Sequence, residues 1–162
     1  MNEPPTTPGN ISLNWNRDGE VYPEGFGRRP RSVGMDARTT ITKYYESLRA
    51  GDPLGRFFAD ERSEDDPYVK FGISEHLVGS DQIEAGLRSQ TETTTDWAVT
   101  SHELQVTERE EHAWFGDTVS MAWTNVETEK RLEYETRWSG TLEKRAADWT
   151  FVGMHVSTAD QL

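Results

Sequence analysis

Four histidines, His76, His102, His112 and His155, and no cysteine set the range of chemistry open to this chain. The four are scattered, and His102-Glu103 lacks the second histidine of a zincin helix, so no metal is expected. No glycine-rich loop would cradle a phosphate, and no Ser-His-Asp order suggests a triad. His155 is the best single candidate. It lies in residues 149–157, where a two-residue period puts Trp149, Phe151, Gly153, His155 and Ser157 on one face. Thr150, Val152, Met154 and Val156 fall on the other. The first face grades from aromatic through glycine to polar, which would floor a pocket with a polar end. There His155 would carry a proton or orient a polar ligand group. The plainer alternative is a buried, hydrogen-bonded histidine with Ser157 helping to close the strand.

Tyr44 and Tyr45 are the next candidates, because a hydroxyl in an apolar pocket can donate to a developing oxyanion; Tyr44 is taken as that donor. Arg137, if it faces inward, would grip a ligand carboxylate with two hydrogen bonds, although Glu135 and Ser139 beside it suit an exposed face. Asp66, Asp96 and Glu103 are the acids worth testing for a raised pKa. Each sits near a loop or strand edge, and no acid–donor pair stands out.

The elements that must position these groups follow from periodicity. Ile41, Tyr44, Tyr45 and Leu48 form the stripe of an amphipathic helix over residues 36–50, capped by Asp36 and ended by Gly51. Asp52-Pro53 opens a second, short helix carrying Leu54, Phe57 and Phe58. Residues 68–74 alternate Val69, Phe71 and Ile73 against Tyr68, Lys70 and Gly72, a half-buried strand paired with 76–78. Gly79 precedes a third helix bearing Ile83 and Leu87. From 96 onward the chain reads as β, over 97–108, 118–127, 132–145 and 149–157, with turns at Gly116-Asp117 and Ala146-Ala147-Asp148. The order is ααββαββββ. Phe58, Tyr68, Phe71, Trp97, Trp123 and Phe151, with Tyr45 and Ser157, would line a pocket beside Tyr44, and the aromatics serve equally well as core.

A chain of 162 residues suits one domain, and six Trp with five Tyr argue against disorder. Residues 1–35, rich in Pro and Gly, read as a loosely ordered arm, with 11–15 as a possible edge strand and Arg28-Arg29-Pro30-Arg31 as a basic cluster. The domain proper spans 36–158, with a short tail at 159–162. Met35 is a candidate alternative start. Acidic residues outnumber basic ones 29 to 17, a net charge of −12, which disfavours nucleic acid and anionic membrane as partners. Only four of the basic residues are lysine. Acid excess with scarce lysine suits a protein working in high salt. Without a signal segment or an apolar run of the roughly 18 residues a span needs, the cytoplasm is the expected compartment.

The order of elements, with the residues at its joints, resembles the nuclear transport factor 2-like superfamily and in particular its SnoaL-like domains. The matching positions are Gly51-Asp52 after the first helix, Gly79 and Ile83 at the third, and Gly116-Asp117. The ending matches in Trp149, Val152, His155 and Ser157. The resemblance spans roughly residues 36–158. It implies an α+β cone: three N-terminal helices wrapped by a strongly bent, mixed and mostly antiparallel sheet, with a pocket between sheet and first helices. Members include ketosteroid isomerase-like enzymes, polyketide cyclases, dehydratases and the association domain of calcium/calmodulin-dependent kinase, and many dimerise through the outer sheet face. That association domain has a histidine where this chain has Gly153. Its strand arginine aligns at about Gly140, three residues from Arg137. The resemblance thus implies a cofactor-free protein that binds a small, mostly apolar molecule, with or without proton-transfer chemistry, or else a homodimerising assembly module.

Overall fold

The computed structural model describes residues 34–60 and 67–159. The arm expected over 1–35, all but its last two residues, lies outside them, as do the 11–15 strand, the basic cluster at 28–31, Asp66 and residues 160–162. The first helix, α1 (Ala37–Ala50), begins where the sequence places it: the Asp36 side chain accepts from the Thr39 amide at 2.7 Å. A second carboxylate, from Glu108, takes the Ala37 amide at 2.9 Å, so two of the helix's free N-terminal donors are satisfied. Gly51 ends it at φ 72°, a left-handed turn that suits a residue without Cβ. The expected second helix shrinks to one 3₁₀ turn, Gly55–Phe57. Its Phe57 is buried, and Phe58 already lies extended, bridged to Phe151. A single turn offers too few hydrogen bonds to nucleate an α-helix of its own.

Next come β1 (Val69–Phe71), β2 (His76–Val78) and α2 (Ser80–Thr93). Five strands follow rather than four: β3 (Thr94–Ser101), β4 (Gln105–Glu108), β5 (His112–Asn125), β6 (Arg131–Arg145) and β7 (Asp148–Thr158). The seven strands run β2-β1-β7-β6-β5-β3, with β4 also on β5, antiparallel except for β1 beside β7. It is a mixed sheet of an α+β fold, wrapped around α1 and left open at its edges.

Besides a register shift in β3 between Thr95 and Ala98, two irregularities interrupt it. Between Ser101 (opposite Val119) and Gln105 (opposite Gly116), three residues face two, and this bulge splits the single strand expected over 97–108. The turn expected at Gly116-Asp117 is instead strand interior: Gly116 pairs with Ser139 and Asp117 with Trp138. An aspartate is tolerated there because both its oxygens are used. Tyr45 donates its hydroxyl at 3.1 Å and the Glu103 amide, freed by the bulge, donates at 3.0 Å. Arg49 adds a bond to the Val99 carbonyl at 2.8 Å, so with Ala37 on Glu108 and Tyr45 on Asp117 three hydrogen bonds tie α1 to the strands.

The second bulge is in β7. Thr141 faces Gly153 but Leu142 faces Phe151, so Val152 is an extra residue. Trp149 and Phe151 point inward; past the bulge, Met154 and Val156 do. The core gathers beneath: Ile41, Tyr44, Phe115, Val119, Leu142 and Phe151 are all at most 4% exposed.

Candidate functional site

The narrow end of the cone is filled. Tyr44 sits among Phe57, Phe151 and Trp138, with ring centroids 5.4, 5.3 and 6.2 Å away, all edge to face. Above it opens a cavity of about 230 Å³, lined by Tyr44, Leu48 and Trp138 below and Met121, Met154 and Val156 on the sheet. Trp97 and Trp123 wall one side as a stacked pair, centroids 4.9 Å apart and planes 20° from parallel. Ser89, Gln90 and Thr93, on the last turns of α2, give it a polar rim.

An ion pair faces this space. Lys70 Nζ lies 2.6 Å from Glu75 Oε2, the lysine side chain 5% exposed and the glutamate 33%. Register explains why a lysine points inward. β1 lies parallel to β7 with Lys70 beside the inward Met154, so Lys70 shares its face, and Val69 and Phe71 share the outer face with Gly153 and His155. The alternation read from the sequence had these faces reversed. The turn after β1 brings Glu75 back over Lys70, closed by the Gly72 amide donating to the Glu75 carbonyl at 3.1 Å. A Cβ on Gly72 would lie 2.8 Å from Glu75 Oε2, so glycine there is what lets the carboxylate fold back.

Tyr44 completes the set. Burial foremost, and then the Glu75 charge, push its hydroxyl above the ordinary tyrosine range. At neutral pH it is therefore a hydrogen-bond donor. Tyr45 is raised too, by burial and then by the charge of Asp117, its hydrogen-bond acceptor.

Of the residues selected from sequence, the structure brings Tyr44, Trp97 and Trp123 to the cavity. His155 is not there. The Val152 bulge reverses the alternation, so His155 is exposed on the outer face, its ring 6.3 Å from Phe71, and Ser157 points the same way opposite Arg137. Arg137 is exposed on that outer face. Phe71 is 36% exposed beside it, one strand over. Tyr45 is committed to Asp117, and Phe151, fully buried, is core between the Tyr44 and Phe58 rings. Phe58 borders a separate groove against α2. Tyr68 is buried with the Arg145 guanidinium 5.2 Å above its ring. Lys70 and Glu75 were missed. A lysine flanked by Tyr68 and Phe71 in a chain with four lysines was the available signal, and the apolar alternation around it pointed the wrong way.

Among the described residues no group of three or more His, Asp or Glu is placed to hold a metal. Among those residues, too, no helix is long and apolar enough to cross a membrane.

The family model of the SnoaL-like domain matches residues 37–161. No curated protein matches the chain. Among solved structures, a candidate dehydratase of the nuclear transport factor 2-like family from Streptomyces avermitilis superposes with a TM-score of 0.65 at 11% identity, covering 75% of this chain and 93% of that one. A ketosteroid isomerase-like protein from Erwinia carotovora atroseptica gives 0.62 at 19%, covering 76% and 94%. A candidate calcium/calmodulin dependent protein kinase II association domain from Xanthomonas campestris gives 0.59 at 16%, covering 75% and 84%. These likenesses establish a shared fold. The three differ in described role, so activity must be argued from the site itself.

Proposed function

The chain belongs to the SnoaL-like domain family, and from that premise we propose that it binds a small, mostly apolar organic molecule in the cone cavity and moves protons on it without a cofactor. The observation that carries this reading is the Lys70–Glu75 pair, 2.6 Å apart, facing a cavity with aromatic walls and a polar rim beside Tyr44. Glu75 is the base. The Lys70 ammonium and the Tyr44 hydroxyl are two donors for the oxyanion that forms when a proton leaves the carbon beside a carbonyl. Enolate routes to isomerisation, cyclisation and dehydration beside a carbonyl pass through such a step. His155, on the outer face, takes no part.

Size narrows the ligand. A void of roughly 150 Å³ holds one benzene ring, so about 230 Å³ suits one substituted ring. It falls below the roughly 300 Å³ at which drug-sized pockets begin. Single-ring phenols and aryl ketones should raise the melting temperature, and aryl ketones should exchange their α-protons in heavy water, followed by nuclear magnetic resonance. Glu75→Gln should slow that exchange about 10²- to 10⁴-fold while ligands still stabilise the fold. A set of such compounds that leaves melting unchanged would sink the reading.

A second reading, a homodimerising module without catalysis, is favoured by the outer face. Trp114 (48% exposed), Thr141, Gly153 and Val69 lie in one row across the sheet. Gly116, Ser139, His155, Phe71 and His76 lie in the next. Trp114 at one end of the first row and Phe71 toward the opposite end of the second, with Thr141, Gly153 and Ser139 between them, fit a second copy turned end for end. Sedimentation of the protein and of Trp114→Glu distinguishes a dimer held by this face from a monomer.

A further inference from the structure

We propose that Lys70 is a carbonyl-condensing amine, and that the cavity takes a single-ring aldehyde or ketone as a covalent iminium. The inference rests on the reading of the cone cavity as a ligand site and assigns its substrate class. Three observations point to it. Lys70 is the sole lysine among residues whose placement brings it to the cavity; Lys43, Lys130 and Lys144 are exposed. Its amine is buried against the inner face of the sheet at Met154, where the chain would gain more from an apolar residue if packing were the sole demand. And its partner is a carboxylate, able to take and return a proton, delivered by a turn in which Gly72 leaves room for it.

The chemistry closes with what the site holds. Glu75 takes one proton from the Lys70 ammonium, leaving an amine. The nitrogen lone pair attacks the carbonyl carbon, the π electrons move to oxygen, and a proton passes from nitrogen to that oxygen. Tyr44 donates a hydrogen bond to the oxyanion as it forms. Glu75 then returns its proton to the carbinolamine hydroxyl, which leaves as water while the nitrogen lone pair forms the C=N bond. The sum is ammonium plus carbonyl giving iminium plus water, with Glu75 again a carboxylate. That carboxylate can next remove an α-proton, the electrons flowing into the iminium to give an enamine. The proton transfer proposed above thus gains a stronger electron sink than a hydrogen-bonded oxyanion. Trp97, Trp123 and Met154 present apolar surface to the ring, and the polar rim at Ser89 and Thr93 faces where water would leave.

The test is reductive trapping. The full chain is treated with benzaldehyde and sodium cyanoborohydride, and each of its four lysines is scored by peptide mass spectrometry. Condensation at Lys70 adds the mass of benzaldehyde less one oxygen, and should run at least tenfold faster there than at Lys43, Lys130 or Lys144. Glu75→Gln should slow labelling at Lys70 tenfold or more and leave the other three unchanged. Lys70→Arg, which keeps the charge, should fold by circular dichroism and lose the fast site; it covers the case in which Lys70→Met leaves Glu75 unpaired and fails to fold. Labelling at Lys70 no faster than at the exposed lysines, or unaffected by Glu75→Gln, overturns the proposal. Benzyl alcohol, the same ring without the carbonyl, separates the two levels of argument. If it raises the melting temperature while Lys70 stays unlabelled, the condensing amine is wrong and the ligand site stands. If it leaves the melting temperature unchanged and Lys70 stays unlabelled, both are wrong.

Discussion

The two ends of the cone are built from similar residues and packed in opposite ways. At the narrow end Tyr44 meets Phe57 and Phe151 edge to face, with planes 83° and 75° apart, and the rings interlock. At the wide end Trp97 and Trp123 lie nearly parallel, forming a flat wall that cannot reach the opposite side, and a void remains. Aromatic content therefore does not decide between core and site, and ring orientation differs between these two clusters. Tyr44 belongs to both ends, its ring packed in the filled half and its hydroxyl held in the protonated form at the open one.

That contrast can be broken directly. Phe151→Ala, at a position with no exposure, should cost about 3–5 kcal/mol in chemical denaturation and leave ligand binding weakened only through the fold. Trp97→Ala, at a half-buried position, should cost about 1.5 kcal/mol and enlarge the cavity, so that two-ring compounds begin to stabilise the protein. Equal costs at the two positions would mean the wide end is core as well.

A smaller effect separates the two tyrosines from water. In the unfolded chain they ionise near about 10, whereas both stay protonated above that in the fold. The unfolded state therefore binds fewer protons there, and stability should fall as pH rises past about 10. Tyr45→Phe should flatten that fall, and it should also cost about 1.5–3 kcal/mol at neutral pH because Asp117 loses a donor. The smallest expected effect is general: with 29 acidic against 17 basic residues, the melting temperature should rise in molar salt. A salt-independent melt would leave the acidic composition without a role in stability.

Much of the scaffold was legible because it is written in periods several turns long. The α1 stripe of Ile41, Tyr44, Tyr45 and Leu48, with Asp36 and Gly51 at its ends, survives any one exception. The long strands were visible for the same reason, and the resemblance to the SnoaL-like domain came from their order. Which way their side chains face was not, because that depends on single residues. Val152 looks like any strand valine, yet as an extra residue it reverses everything after it, and so His155 was misplaced by a fold reading that was otherwise sound. Lys70 was hidden by an opposite effect: its cost in the interior is met by Glu75 five residues later, a compensation no local pattern announces. Gly116-Asp117 looked like a turn because the two partners that satisfy Asp117, Tyr45 and Glu103, come from other elements.

The Val152 bulge also bears on how sites are inherited. Deleting that one residue would straighten β7 and leave its facing as it is, since Gly153 and Phe151 already pair with neighbouring residues of β6. Keeping Val152 but pairing β7 without a bulge would instead carry His155 and Ser157 into the cone and turn Met154 and Val156 out. Two chains could then share the same closing letters, His-x-Ser, and present a proton carrier to the ligand in one case and a thioether in the other. Within this fold the presence or absence of one bulge under the same letters is a change of active-site chemistry, and residue-by-residue transfer of a function is only as good as the count of residues since the last bulge.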